Sequence, residues 1–182
     1  MHSITSKWPH QSSIHVEWNL GKRCNLDCSY CPAEIHDNYS PHTNIQLLLD
    51  TVDKLESIGK PIRLSLTGGE PCVHPDIEDL LIYAKQKLDW VNVTTNGTRA
   101  ADWYVRQSVN HYVFSLHFEG SNWDRCLDNI INFGFLNEES DRIPFHVNVM
   151  AHQDHMSNVK LAVSKLHGHN IKYCLLYTSP SP

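Results

Sequence analysis

Residues 62–95 read IRLSLTGGEPCVHPDIEDLLIYAKQKLDWVNVTT, and the fold is decided here. Ile62–Leu66 is an apolar run of strand length, closed by the turn residues Thr67-Gly68-Gly69-Glu70-Pro71. Ile77, Leu80, Leu81, Ala84 and Leu88 then recur at helical spacing, with Pro75 and Asp76 suited to a first turn. Val91–Thr95 is a second strand-length run, ended by Asn96-Gly97. Strand, helix and strand in so short a stretch predict a crossover between parallel strands.

The same alternation extends in both directions. Ile14–Leu20, Tyr112–Leu116 and Phe145–Met150 read as strands, and Ile171-Lys172-Tyr173 begins a sixth. Asn44 is a candidate N-cap for a stripe of Ile45, Leu48, Leu49, Val52, Leu55 and Ile58, which Gly59 and Pro61 stop. A weaker helix covers Ala101–Gln107. Trp123, Leu127, Ile130 and Ile131 form another, with Gly134 near its end. Met156, Val159, Ala162, Val163 and Leu166 form the last, with Gly168 beyond. Five rounds of strand and helix predict an α/β fold with a parallel sheet and right-handed crossovers. Periodicity leaves open whether that sheet closes.

The 182 residues suit one domain, read as 14–173 after a lead-in of 1–13. The last nine, CLLYTSPSP (Cys174–Pro182), resemble a sequencing-adapter read-through. Residues 174–182 are therefore set aside as a non-native tail, which leaves the core domain incomplete and Cys174 uninformative. With 15 Lys+Arg against 20 Asp+Glu the formal charge is −5, which argues against a nucleic-acid face or a polybasic membrane anchor. No apolar run approaches the roughly 18–20 residues of a membrane span, and residues 1–20 show no secretory h-region. The cytoplasm is the expected compartment.

Of six cysteines, Cys24, Cys28 and Cys31 crowd into one C-x3-C-x2-C segment directly after the first strand. In a reducing compartment such clustering points to metal or catalysis rather than disulfides. Three thiolates on one loop are soft ligands for an iron–sulfur cluster or for zinc. A closed zinc site wants four ligands, and His36 is the nearby candidate for the fourth. A cubane on three thiolates would instead leave one iron open for chemistry. Thr67-Gly68-Gly69-Glu70-Pro71, at the end of the second strand, adds a backbone that a ligand can approach closely and a carboxylate for an ammonium group.

The pairing of C-x3-C-x2-C with TGGEP resembles the radical S-adenosylmethionine (radical SAM) superfamily, over nearly all of residues 14–173. The resemblance implies a partial (β/α)6 TIM-like barrel. It implies a [4Fe-4S] cluster on Cys24, Cys28 and Cys31, with S-adenosyl-L-methionine chelating the fourth iron. Gly68, Gly69 and Glu70 would hold the methionyl amino end, and Tyr30 matches a position that packs near the adenine. Thr95-Asn96-Gly97 resembles the family's T-N-G turn. Ser115 stands where a polar residue often meets the ribose, although His117 replaces an Asp frequent there, and Asn148 matches an Asn of some members. The implied activity is reductive cleavage of S-adenosylmethionine to a 5′-deoxyadenosyl radical, which takes hydrogen from a small molecule or peptide. A flavodoxin or ferredoxin-like protein would supply the electron. Two alternatives remain on the residues alone: a zinc-binding module that includes His36, and an iron–sulfur electron carrier with a fourth ligand.

All these segments fall at or just beyond the C-terminal ends of predicted strands, the working face of a parallel barrel. The remaining candidates read blandly. Cys72 and the tryptophans Trp8, Trp90 and Trp103 are packing residues, while His36, His152 and His155 belong to solvated loops.

Overall fold

The computed structural model describes residues 13–120, 122–139 and 143–178. Six parallel strands form one sheet: β1 (Ile14–Asn19), β2 (Ile62–Thr67), β3 (Trp90–Thr95), β4 (His111–Leu116), β5 (Phe145–Ala151) and β6 (Tyr173–Tyr177). Between them lie α1 (Ile45–Glu56), α2 (Ile77–Lys87), α3 (Ala101–Val105), α4 (Trp123–Glu138) and α5 (Met156–Gly168). The strand order is sequential, β1 to β6, so every crossover steps the same way. A doubly wound sheet would reverse direction partway. Right-handed crossovers in one direction put the helices on one side, which is the arrangement of a partial (β/α) barrel. No helix among the described residues is long and apolar enough to cross a membrane.

The helix-facing side of the sheet is the core. Leu64 and Leu66, Val91 and Val93, Tyr112 and Phe114, and Val147 and Val149 are fully buried there. They meet the stripes of Leu48 and Val52, Leu80 and Leu81, Leu127 and Ile130, and Val159 and Ala162. Tyr104, Tyr112, Phe114 and Phe133 form an aromatic knot, in which Tyr104 meets the other three edge-on at 5.1–6.1 Å. The Tyr104 hydroxyl lies 3.2 Å from Thr95 Oγ1, so the core reaches into the strand ends.

The opposite side of the sheet is polar. Residues alternate along each strand, and a hydrogen-bonded row runs across three of the pairings. His15 Nε2 meets Ser65 Oγ at 2.9 Å, Asn92 Nδ2 donates to Ser65 Oγ at 3.3 Å, and His111 Nδ1 meets Asn92 Oδ1 at 2.8 Å. His146 lies beyond, its ring 5.2 Å from that of His111.

Several boundaries differ from the sequence reading, each for a local reason. Asn44 caps α1, its side chain accepting from Gln46 N, and the helix ends at Glu56. The Gln107 side chain donates to Trp103 O after α3 has already stopped at Val105. α4 runs through Gly134 to Glu138, because Phe133 and Asn137 stay buried and Asn137 brackets both backbone groups of Ile143. β6 starts at Tyr173 and continues into the segment set aside as a tail. It pairs with β5 through its backbone, while Cys174, Leu175, Leu176 and Tyr177 are exposed. Trp90 packs under Arg63, and Trp103 is buried; Trp8 and nearly all of the lead-in lie outside the described residues.

Burial, with His146 and Arg63 alongside, lowers His111 to about 4 from an ordinary 6.5. Between those values the unfolded chain binds a proton that the folded chain refuses. This contribution to stability is therefore full above pH 6.5 and is lost as the pH falls toward 4. Between pH 7 and 4.5 the native chain should lose on the order of 1 kcal/mol more than His111→Gln, a figure discounted for partial solvent access. Urea unfolding of both at each pH measures it, and parallel losses would show that His111 titrates freely.

Candidate functional site

The loop after β1 carries the three cysteines, and backbone bonds fix its ends. Cys24 N–H donates to Asp37 O at 2.6 Å and Asp37 N–H to Lys22 O at 2.9 Å. The Asp37 carboxylate accepts from Tyr39 N and from Ser40 N and Oγ, which turns the chain back toward α1. Within the loop, Cys31 N–H donates to Cys28 O and Leu26 N–H to Cys24 Sγ.

The turn after β2 is pressed onto this loop. Gly69 N–H donates to Gly21 O at 2.8 Å, and Glu70 N–H to Arg23 O at 2.9 Å. A Cβ on Gly69 would stand 2.3 Å from the carbonyl oxygens of both Lys22 and Arg23. Gly68 has φ +137°, and a Cβ there would stand 2.8 Å from Asn19 Oδ1 and Gly21 O. Both glycines are thus required by contact between the two turns, in addition to any ligand.

Glu70 is only 3% exposed. Its Oε1 accepts from Cys72 N at 2.9 Å and Thr95 Oγ1 at 2.7 Å, and its Oε2 from Asn96 N at 2.6 Å. The Cys72 thiol also bonds this carboxylate, so its roughly four acceptor positions are met largely by the chain itself. Burial raises its pKa, and the hydrogen bonds from Asn96, Thr95 and Cys72 oppose that rise. Asn96 completes the bracket: its Nδ2 donates to Asn25 Oδ1 in the cysteine loop at 2.7 Å, and its Oδ1 accepts from Thr98. The ends of β1, β2 and β3 are locked together.

A cavity of about 160 Å³ opens between them. Cys24, Cys28, Cys31, Gly68, Gly69, Glu70, Asn96, Ser115 and His117 line it, together with His36, Thr67, Thr94 and Thr95. Thr67 and Thr95 belong to the two turn motifs read from the sequence, whereas Thr94 was not singled out; its placement at a strand end was the available signal. A larger cleft, of about 330 Å³, lies at the opposite end of the strands, by Gly134, Pro144 and His169, away from every candidate residue.

Burial raises all three thiols of the loop, Cys28 to about 12, and nearby negative charge adds to the rise: Glu70 at Cys24, Glu119 at Cys28 and Cys31, and other sulfurs of the trio at Cys24 and Cys28. Without a cation these groups stay protonated. A metal centre supplies the positive charge that would hold them as thiolates, so the donor set fits one. His36 is the weaker candidate ligand. Its Nδ1 lies 3.2 Å from Pro32 O and its Nε2 3.2 Å from Asp27 Oδ1, and coordination would have to break one of these contacts.

Tyr30 stacks between two histidines, with centroids 5.8 Å from His117 and 6.3 Å from His152. Its hydroxyl meets His117 Nδ1 at 2.6 Å, and that nitrogen also lies 3.5 Å from Cys28 Sγ. Burial lowers His117 to about 4, so its ring is neutral at neutral pH. Asn148 is in register with Ser115 on the neighbouring strand but does not line the cavity. Cys72 is buried, as a packing residue should be. His152 differs from the solvated loop residue read from the sequence: at 3% exposure it is enclosed beside Tyr30. Glu119, which no sequence motif marked, accepts from Ser29 N and Oγ at 2.5 and 2.6 Å.

Residues 18–139, well over half of the chain, match the sequence profile of the radical SAM superfamily. The chain belongs to that superfamily. Over 84 residues it is 36% identical to Fe-coproporphyrin III synthase of Methanosarcina barkeri, a match covering 46% of this chain and 21% of that protein. Over 139 residues it is 27% identical to the mycofactocin maturase MftC of Mycolicibacterium smegmatis, covering 67% and 35% respectively. The fold resembles that of Streptococcus suis SuiB bound to S-adenosylmethionine, with a TM-score of 0.63 at 17% identity over 93% of this chain and 42% of SuiB. The chain spans about a fifth to a third of the length of these curated relatives. The superfamily works in general with S-adenosylmethionine and an iron–sulfur cluster.

Gly69→Ala should force the two turns apart, because two backbone carbonyls cannot yield as a flexible side chain would. A loss of about 1–3 kcal/mol is expected. Iron uptake after reconstitution should fall with it. A variant with unchanged melting temperature and iron content would show that the turns do not need this contact.

Proposed function

We propose that the chain is the cofactor-binding core of a radical SAM enzyme, with Cys24, Cys28 and Cys31 holding a [4Fe-4S] cluster. The observation that carries this reading is the shared cavity, where three thiols that need a cation face the Gly68-Gly69-Glu70 turn. Reduced by a flavodoxin or ferredoxin-like donor, the cluster would pass one electron to S-adenosylmethionine, breaking its S–C5′ bond to give methionine and the hydrogen-abstracting 5′-deoxyadenosyl radical.

The residues of this chain do the positioning. The Glu70 carboxylate, at the cavity wall with the backbone of Gly68 and Gly69, receives the methionyl ammonium group. Ser115 and Asn96 offer hydrogen bonds to the nucleoside side, with Asn148 beside Ser115 on the same face of the sheet. Tyr30 and His117 form a neutral wall next to Cys28, where a charged imidazolium would disturb the sulfur ligand. Bonds to sulfur and solvent access in this loop would set the cluster potential. The substrate is a small molecule or a peptide; relatives of both kinds occur, including SuiB, which has been crystallised with its precursor peptide SuiA. A reducing cytoplasm is the compartment in which such thiols remain available.

Anaerobic reconstitution followed by electron paramagnetic resonance tests the reading. The reduced protein should show a cubane signal that changes when S-adenosylmethionine is added. Cys28→Ala should abolish both the signal and 5′-deoxyadenosine formation, and a variant that keeps them would remove Cys28 from the ligand set. Glu70→Gln should retain iron and sulfide yet bind S-adenosylmethionine more weakly. It should also lose about 1–3 kcal/mol of stability, because an amide NH2 would face a buried donor. Unchanged affinity would assign Glu70 to the fold alone. One zinc per chain that Cys28→Ala removes, with no acid-labile sulfide, would replace the whole proposal with the module that includes His36.

A further inference from the structure

A second group of ligand-type side chains stands outside the cysteine cavity. Glu119 follows β4, and His152 and His155 follow β5, so the pairing of these strands brings all three to one place at the C-terminal ends. One donor atom from each lies within 4.8 Å of the others. His152 is 97% buried, being 3% exposed, and its Nε2 is enclosed with no hydrogen-bond partner among the described residues. A buried ring nitrogen without a partner is costly, and it calls for a ligand.

The rest of the group is arranged as metal ligands usually are. His152 Nδ1 faces Asp154, 3.4 Å from its backbone N and 3.6 Å from Oδ2. Nδ1 accepts from the Asp154 N–H, so coordination through Nε2 would shift the ring proton from Nε2 to Nδ1, on the side of the Asp154 carboxylate. A carboxylate behind the imidazole is the common way of orienting a metal-bound histidine. Glu119 is held from behind by Ser29 N and Oγ, and its remaining lone pairs are free to coordinate.

We propose that Glu119, His152 and His155 bind one divalent first-row transition ion. Two imidazoles and a carboxylate suit zinc, iron(II) or cobalt(II) rather than magnesium or calcium, which prefer all-oxygen shells. Three protein ligands leave at least one coordination position for water or an oxygen donor of a substrate. The ion is separate from the sulfur site but mechanically joined to it. Ser29, which holds Glu119, lies between Cys28 and Cys31, so occupancy fixes the cysteine loop against the ends of β4 and β5. The site goes beyond the radical SAM reading and does not depend on it.

Cobalt(II) alone is the probe. The Cys24→Ser/Cys28→Ser/Cys31→Ser chain removes the competing thiols, and its folding is checked by circular dichroism. It should bind one equivalent with visible d–d bands and no thiolate charge-transfer band. His152→Ala and Glu119→Gln on that background should each weaken binding at least about tenfold. The wild-type chain, loaded with its cluster and dialysed against zinc, should retain one zinc that His152→Ala loses. This second measurement decides the matter if the triple variant does not fold. Retained zinc at zero equivalents on the loaded chain, or metal binding unchanged by His152→Ala, would overturn the site. Failure of cluster assembly in the wild type would instead count against the proposed function and leave the cobalt result standing.

Discussion

Glu70 keeps a carboxylate at 3% exposure where β2 and β3 end, and the geometry of the site is set around it. Its oxygens collect donors from Cys72, Thr95 and Asn96, which fixes the turn after β2 against the turn after β3. The backbone of the same turn reaches the other way, to Gly21 O and Arg23 O in the cysteine loop. A buried carboxylate is tolerable only with its acceptors satisfied, so the three elements must close together or not at all. The two glycines permit the approach, and Asn96 to Asn25 closes the circle on the far side. The thiols are delivered to the cavity as a consequence.

That bracket also joins the chemistry to the core. Tyr104 lies in the aromatic knot between the sheet and α4, yet its hydroxyl meets Thr95, the same residue that donates to Glu70. Loosening of the knot would therefore be felt at the carboxylate through two consecutive hydrogen bonds. The other side of the sheet makes no such demand. Its row of His15, Ser65, Asn92 and His111 satisfies itself laterally and leaves that face polar.

The sequence was most informative where the physics is local. The stripe Ile77, Leu80, Leu81, Ala84 announces α2, and the run Val91–Thr95 announces β3, because each element buries its own apolar period. The cysteine spacing and Gly-Gly-Glu are likewise local patterns, and the fold brings both to one cavity. What escaped depends on distant partners. Gly134 looks like a helix stop, yet the burial of Phe133 and Asn137 on either side carries α4 past it. His152 looks solvated until Tyr30, from the first loop, is laid beside it. Glu119 has no local motif at all, since its significance comes from Ser29, 90 positions earlier. The glycines at 68 and 69 were recognised as a close approach, but nothing local reveals that the approaching group is the chain's own carbonyl row.

Sequential strand order has a bearing on how such a chain can diversify. Each strand pairs only with the strands before and after it, so neighbours in the sheet are also neighbours in the gene. The locked region occupies β1 to β3 and the turns that follow them, whereas His117, Glu119, His152 and His155 hang from β4 and β5. A crossover or insertion placed after the third strand would thus exchange one wall of the chamber while keeping the β1–β3 bracket, and would remake the contacts of Cys28, Ser29 and Tyr30 with His117 and Glu119. Inheritance could treat the two halves as separable cassettes, one held constant by steric necessity and the other free to be re-tailored.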